Sequence, residues 1–235
     1  MSEPTVAWSP TPLEVSIAQV AVLKEPMPVK ADAIFIHGSP TDDRDQDRQL
    51  LSLAADYYHS GGTRNIAING LTVGTCDDRK LAYPGFEIWY AMLRGKRVAE
   101  DDIVQIRPSL HTAAESIGLL EMARTKGWET IIISSQPHHQ LRCFLQAVAV
   151  MQTMDFWPNV YNMTHGGIPW MRPLQKNVLN ADAGGPVEGT IIDHIEAEYE
   201  RLVKYAQTPL PAGTKGSFTR HATIPEMMAY LERRG

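Results

Sequence analysis

Serine, histidine and arginine crowd one stretch of the 235-residue chain, Ser134-Ser-Gln-Pro-His-His-Gln-Leu-Arg142. His139 and Arg142 stand three apart, so within a helix they share one face. Pro137 suits a helix's first turn, because the N–H it lacks would go unpaired there, and Ser135 or Gln136 can help cap such a start. A helix beginning at Pro137 would put His139 and Arg142 where free backbone N–H groups and the macrodipole favour an anion. The implied chemistry is anion binding with an imidazole at hand, and imidazole, with a pKa of about 6.5, carries a proton either way near neutral pH. A histidine and an arginine on one helical turn also occur as solvated or structural residues. What the fold sets beside them decides.

The elements that must position this stretch follow from periodicity. Ile131, Ile132 and Ile133 form an uninterrupted β-branched run, suited to a parallel strand covered on both faces. Ala31 to Ser39, Asn65 to Gly70 and Ile103 to Ile106 read as further strands, and Asn159 to Thr164 as one more. Helices are expected from about Gln46 to His59, Phe86 to Arg94, Thr112 to Arg124 and from Pro137 to about Met154. His111 or Ser109 can cap the third of these, and Gly127 closes it. Two later helices are expected: Thr190 to Ala206, with His194 on the surface or in packing and Glu196, Glu198 and Glu200 at polar positions, and Ile224 to Arg233, capped by Thr223. Strands alternating with helices call for a Rossmann-like α/β three-layer sandwich, with a mostly parallel central sheet and helices on both faces. Residues 1–30 read as a proline-rich N-terminal arm whose apolar patch, Leu13 to Leu23, suits an edge strand or a short helix. Residues 31–207 read as the α/β domain, and 208–235 as an extension whose short helix packs on that domain. The irregular stretch from Gly166 to Pro186 is a lid or a plain surface connection.

In an open parallel sheet, ligands bind outside the carboxyl ends of the strands. The residues placed there are His37, Gly38 and Ser39 after the first strand, Asn69 and Gly70 after the second, and Ser109, His111 and Thr112 after the third. Ser134, Ser135 and Gln136 follow the fourth, leading to His139 and Arg142. Several familiar chemistries are excluded. No Gly-x-Ser-x-Gly elbow occurs, so the strand ending His37-Gly38 does not belong to an α/β-hydrolase. The arginine that phosphohistidine phosphatases carry before their histidine is Ile36 here. Neither Gly-x-Gly-x-x-Gly after the first strand nor a P-loop is present. No metal site is assigned; carboxylates between Asp42 and Asp47 could hold Mg²⁺, or simply complement a helix dipole. The net charge of -5 and pI near 5.9 give no reason to expect a nucleic-acid partner. Two cysteines, Cys76 and Cys143, suggest neither a disulfide framework nor zinc, and no signal peptide or membrane-length apolar run is visible. The expectation is a cytoplasmic protein of open oligomeric state.

Over residues 31 to 150 the pattern resembles the ElyC/SanA/YdcF family of Rossmann-like domains. The matching residues are Gly38; Arg48 with Ala54-Ala-Asp-Tyr-Tyr58 and Gly61; Asn69-Gly70; Glu87; Thr112-Ala-Ala-Glu-Ser116; and Ser135-Gln-Pro-His-His-Gln-Leu-Arg-Cys143. Asn69, Gln136 and Ser116 depart from the family's residues, and Glu115 stands one position late, so the chain looks like a divergent member. By that spacing His139 is the family histidine. The resemblance implies a pocket for a small anionic ligand, nucleotide-like or S-adenosylmethionine-like, built from Gly38, Ser39, Arg48, Asn69, Gly70, Glu87, Thr112, Ser135, Gln136 and Arg142. The leading expectation is hydrolysis of a phosphoester, with His139 or His37 as acid or base and Glu115 or Glu87 orienting it or accepting a substrate hydroxyl. The alternative is a non-catalytic module that senses a nucleotide or S-adenosylmethionine.

Overall fold

The computed structural model describes residues 9–38, 44–72, 83–164, 170–171, 189–207 and 221–234. Five strands lie within them: β1 (Ala31–Ile36), β2 (Thr63–Asn69), β3 (Ile103–Ile106), β4 (Thr130–Ser134) and β5 (Asn159–Met163). The helices are α1 (Pro12–Leu23), α2 (Arg44–His59), α3 (Phe86–Gly95), α4 (Thr112–Lys126), α5 (Gln140–Met154), α6 (Ile191–Gln207) and α7 (Ile224–Arg234). The strands form one all-parallel sheet in the order β3-β2-β1-β4-β5. This is the Rossmann-like three-layer arrangement that the strand–helix alternation calls for.

Side chains alternate across a strand, and here each face has its own core. Ala33, Phe35, Ile131, Ile133 and Val160 pack with apolar residues of α1, α4, α5 and α7. Ile34, Ile36, Ile66, Ile68 and Ile132 pack with Leu50, Leu51 and Ala54 of α2 and with Trp89 and Leu93 of α3. Fully burying one such side chain is worth about 1.5–3 kcal/mol, so the central β1–β4 ribbon, closed on both faces, is the most firmly held part of the sheet.

The patch at Leu13 to Leu23 is a helix. Thr11 and Glu14 close it with a reciprocal capping box: Thr11 Oγ1 accepts from the Glu14 N–H at 3.2 Å, and Glu14 Oε2 accepts from the Thr11 N–H at 2.7 Å. Val15, Ala18 and Val22 join the core, and Gln19 Nε2 donates to the Pro137 carbonyl at 2.6 Å. Thr223 and Glu226 cap α7 in the same way.

At the start of α5 the structure differs from the sequence expectation. The helix begins at Gln140, three residues after Pro137, and His139 sits at its N-cap without a side-chain capping bond. The His139 N–H donates to the Gln136 carbonyl at 2.9 Å, closing a tight turn ahead of the helix. That turn leaves Ser135 too early to cap, and its hydroxyl has no hydrogen-bond partner. Of the stretch from Gly166 to Pro186, only the exposed Trp170 and Met171 lie within the described residues. No described helix is long and apolar enough to cross a membrane.

Candidate functional site

The strand order reverses between β1 and β4, which opens a crevice at their carboxyl ends. The His37 N–H donates to the Ser134 carbonyl at 2.9 Å, so the two strand exits stay level. Glu115, one turn into α4 and buried, gathers the neighbouring exits. Its Oε2 lies 3.0 Å from His37 Nδ1, and its Oε1 accepts from the Gly38 N–H at 2.9 Å and from Asn69 Nδ2 at 2.8 Å. A Cβ on Gly38 would stand 2.9 Å from that same oxygen, which is why a glycine fits there. Asn69 is fully used: its amide also donates to the Ser109 carbonyl at 2.7 Å, and its Oδ1 accepts from the Leu71 and Ser109 N–H groups at 3.0 Å each. It ties the β2 exit to the β3 exit rather than presenting a free amide. Burial opposes charge on Glu115, but the His37 ring, the Gly38 N–H and the Asn69 amide hold its carboxyl below the usual range.

A second cluster lies at the start of α5. Arg142 Nε donates to Glu198 Oε2 at 2.5 Å and Nη2 to Glu198 Oε1 at 3.3 Å, while Nη1 donates to Thr112 Oγ1 at 2.8 Å. Arg201 reaches the same carboxylate. Burial would raise the Glu198 carboxyl, yet the charges of Arg142 and Arg201 hold it well below the ordinary range. Two guanidiniums thus share the Glu198 carboxylate. His139 joins the two clusters, with Nε2 3.3 Å from Thr112 Oγ1, Nδ1 3.9 Å from Glu198 Oε1, and its ring centroid 6.4 Å from that of His37.

Around this crevice lie buried polar atoms that no described residue satisfies: His37 Nε2, His139 Nδ1, and the hydroxyls of Ser134 and Ser135. Buried polar groups are ordinarily paired, and an unmade bond costs about 1–3 kcal/mol. Four such atoms lie together at the topological switch point. Cys143 is fully buried one turn into α5, within electrostatic reach of both imidazoles. Burial alone would lower His37, but the Cys143 sulfur and Glu115 outweigh it and bring His37 up to about 10. Burial alone would raise Cys143, but His139 and His37 bring it down to about 6.

The structure therefore brings together His37, Gly38, Asn69, Thr112, Glu115, Ser135, His139 and Arg142. Gly70 is buried beside Ile106, whose carbonyl oxygen a Cβ would approach to 2.3 Å. Gln136 Nε2 points to Asp47 Oδ1 of α2 at 3.5 Å. Arg48 is exposed and pairs with Asp45 at 3.0 Å, and Glu87 is exposed on the first turn of α3, so neither joins the cluster. Ser39 lies outside the described residues, as do Asp42 and Asp43. Among the described residues no group of His, Cys, Asp and Glu is arranged to hold a metal ion.

Sequence reasoning missed Cys143, Glu198 and Arg201, and left His194 between the surface and packing. His194 is buried, its ring 5.1 Å from that of His138. A signal for each existed: His139 and Cys143 are four apart on one helix face, and His194, Glu198 and Arg201 share the helical stripe of Ile191 and Leu202.

Fold and strand exits define an α/β protein with a buried polar cluster at the switch point of a Rossmann-like sheet. No protein-family model matches the chain, and no curated protein matches it.

Proposed function

We propose that this crevice binds a small phosphorylated or nucleotide-like anion and hydrolyses a phosphoester, and that the chain is a divergent protein of the ElyC/SanA/YdcF type. The observation that carries the reading is the set of buried atoms without partners, His37 Nε2, His139 Nδ1 and the Ser134 and Ser135 hydroxyls, beside two guanidiniums that share one carboxylate. Hydroxyls and imidazole N–H groups are donors suited to phosphate oxygens. Because Arg142 is engaged by Glu198 and Thr112, its charge acts from the wall of the site, and Ser135 and His139 make the nearer contacts. His139, joined to Thr112, is the group to move a proton at the leaving oxygen.

Thermal unfolding of wild type and Ser135→Ala, with nucleotides, S-adenosylmethionine, sugar phosphates and inorganic phosphate, each with and without Mg²⁺, tests the reading. A ligand at a hundred times its dissociation constant adds about 2.7 kcal/mol of stability. One ligand class should stabilise wild type and stabilise Ser135→Ala less, and the phosphorylated member of that class should then be hydrolysed. Absence of any shift sinks the binding site; a shift without product leaves a sensor rather than an enzyme.

A further inference from the structure

We propose that α6 is an autoinhibitory strap: its Glu198 carboxylate holds the place of the ligand's anion, and the crevice takes a phosphate only when Glu198 withdraws and α6 loosens with it. The proposal rests on the phosphorylated-ligand reading and adds how access to that site is controlled.

The groups assigned to the ligand are closed off. His37 and His139 are 1% exposed and Ser135 0%, so a guest touches them only after an element has moved. Glu198 shows which element that is. Its oxygens accept from Arg142 Nε at 2.5 Å and Nη2 at 3.3 Å, the paired contact by which a guanidinium holds a carboxylate or a phosphate alike. Arg201 reaches the same carboxylate. Glu198 Oε1 also lies 3.9 Å from His139 Nδ1, beyond hydrogen-bond length, and that nitrogen has no other partner. A phosphate oxygen bonded to Nδ1 at about 2.8 Å stands within about 7 Å of Glu198 Oε1 whatever its direction, two anions in a buried setting that screens little. Replacing the carboxylate beside Arg142 is therefore favoured over joining it.

The fastening of α6 suits such an exchange. His194, Glu198 and Arg201 share one stripe of the helix and all three are buried, His194 with its ring 5.1 Å from that of His138. Leu202 enters the apolar core and Tyr199 packs against it. By contrast, α5 sends Leu141, Phe144, Leu145 and Val148 into that core. A buried ion pair roughly offsets its own desolvation, so a helix docked largely through charges returns to water at smaller cost than one docked through an apolar stripe. Once Glu198 withdraws, Arg142 stays in the wall of the site on Thr112, its charge directed at the anion in place of the carboxylate. A site that is open only part of the time binds with an affinity reduced by that fraction.

The test uses the full chain and inorganic phosphate, with ionic strength matched by sodium chloride. Glu198→Gln keeps the size of the side chain and removes its charge, and by calorimetry it should bind phosphate at least about fivefold more tightly than wild type. In wild type, saturating phosphate should speed hydrogen exchange at the α6 amides while slowing it at the start of α5; this readout needs no variant to fold. Equal or weaker binding by folded Glu198→Gln, or α6 amides that phosphate slows or leaves unchanged, overturns the strap, makes α6 a fixed wall and leaves the phosphorylated-ligand reading standing. Phosphate that binds neither protein overturns that reading and the strap with it.

Discussion

Glu115 shows how much one carboxylate can organise: a backbone N–H and an imidazole from the β1 exit and an amide from the β2 exit converge on it. The histidines beyond it behave differently. Burial holds His138 well below its ordinary range and His194 below it, and burial with the Arg142 charge pushes His221 down to about 3. Gln146 Nε2 donates to the His221 ring, a bond that a protonated ring cannot accept. The unfolded chain takes up protons at these rings below about pH 6.5, while the folded chain refuses them. Their contribution is therefore present above about pH 6.5 and is lost as pH falls toward 3. Cys143, lowered from 9, loses its contribution as pH falls through about 6, whereas His37, raised from 6.5, loses its own as pH rises through about 10. Those two oppose each other between about 6.5 and 9 and nearly cancel. Urea midpoints should accordingly be flat from pH 7 to 9 and fall steadily from pH 7 to 4, and His221→Gln should soften the acid slope. Acid midpoints as high as those at neutral pH would contradict the neutral buried imidazoles.

At the scale of elements, α6 is fixed to the crevice through Glu198, and the helix and the charge cluster depend on each other. Glu198→Ala removes the carboxylate that Arg142 and Arg201 share. Breaking a buried pair in this way costs about 3–5 kcal/mol, and adding Arg201→Ala should recover part of it. Chemical denaturation of the two single variants and the double variant measures the coupling; additive losses would mean that the bridge carries no interaction energy. This bridge also marks where sequence reading stopped. The sheet was legible because Ile34, Ile66 and Ile131 to Ile133 sit in β-branched runs between glycine turns, and the helices because their apolar spacing is local. Gly38, Asn69, Thr112, Glu115 and His139 were legible as candidates because strand ends and helix starts can be located before the fold is known. Glu198 was not, since its partner lies on another helix far away in sequence and nothing near it distinguishes a buried glutamate from a solvated one. The start of α5 was misjudged because a proline fits both a helix's first turn and the tight turn before it. The helix α1 was left open against a strand because its apolar residues run all round it, though Thr11 and Glu14 already spelled its capping box.

For the whole molecule, the notable feature is the outer side of β5. A strand at a sheet edge presents unpaired N–H and C=O groups that template another strand. Here side chains occupy them. The Val160 N–H donates to Tyr230 Oη at 2.6 Å, the Val160 carbonyl accepts from Arg234, and the Asn162 N–H donates to Glu25 Oε2 at 2.8 Å. Tyr230 Oη in turn donates to the Pro158 carbonyl at 2.8 Å, and Arg234 pairs with Glu25. The double variant Tyr230→Phe, Arg234→Ala should lose about 1–3 kcal/mol for each buried group left unpaired, and it should associate with itself as concentration rises. Light scattering that stays at the wild-type mass over that range would show that the edge needs no such cover. This closure also has a direction in time. Glu25 precedes every strand and Arg234 follows them all, and chains fold from the N-terminal side as they are made. On the ribosome β5 therefore waits, half sealed, for α7 to emerge.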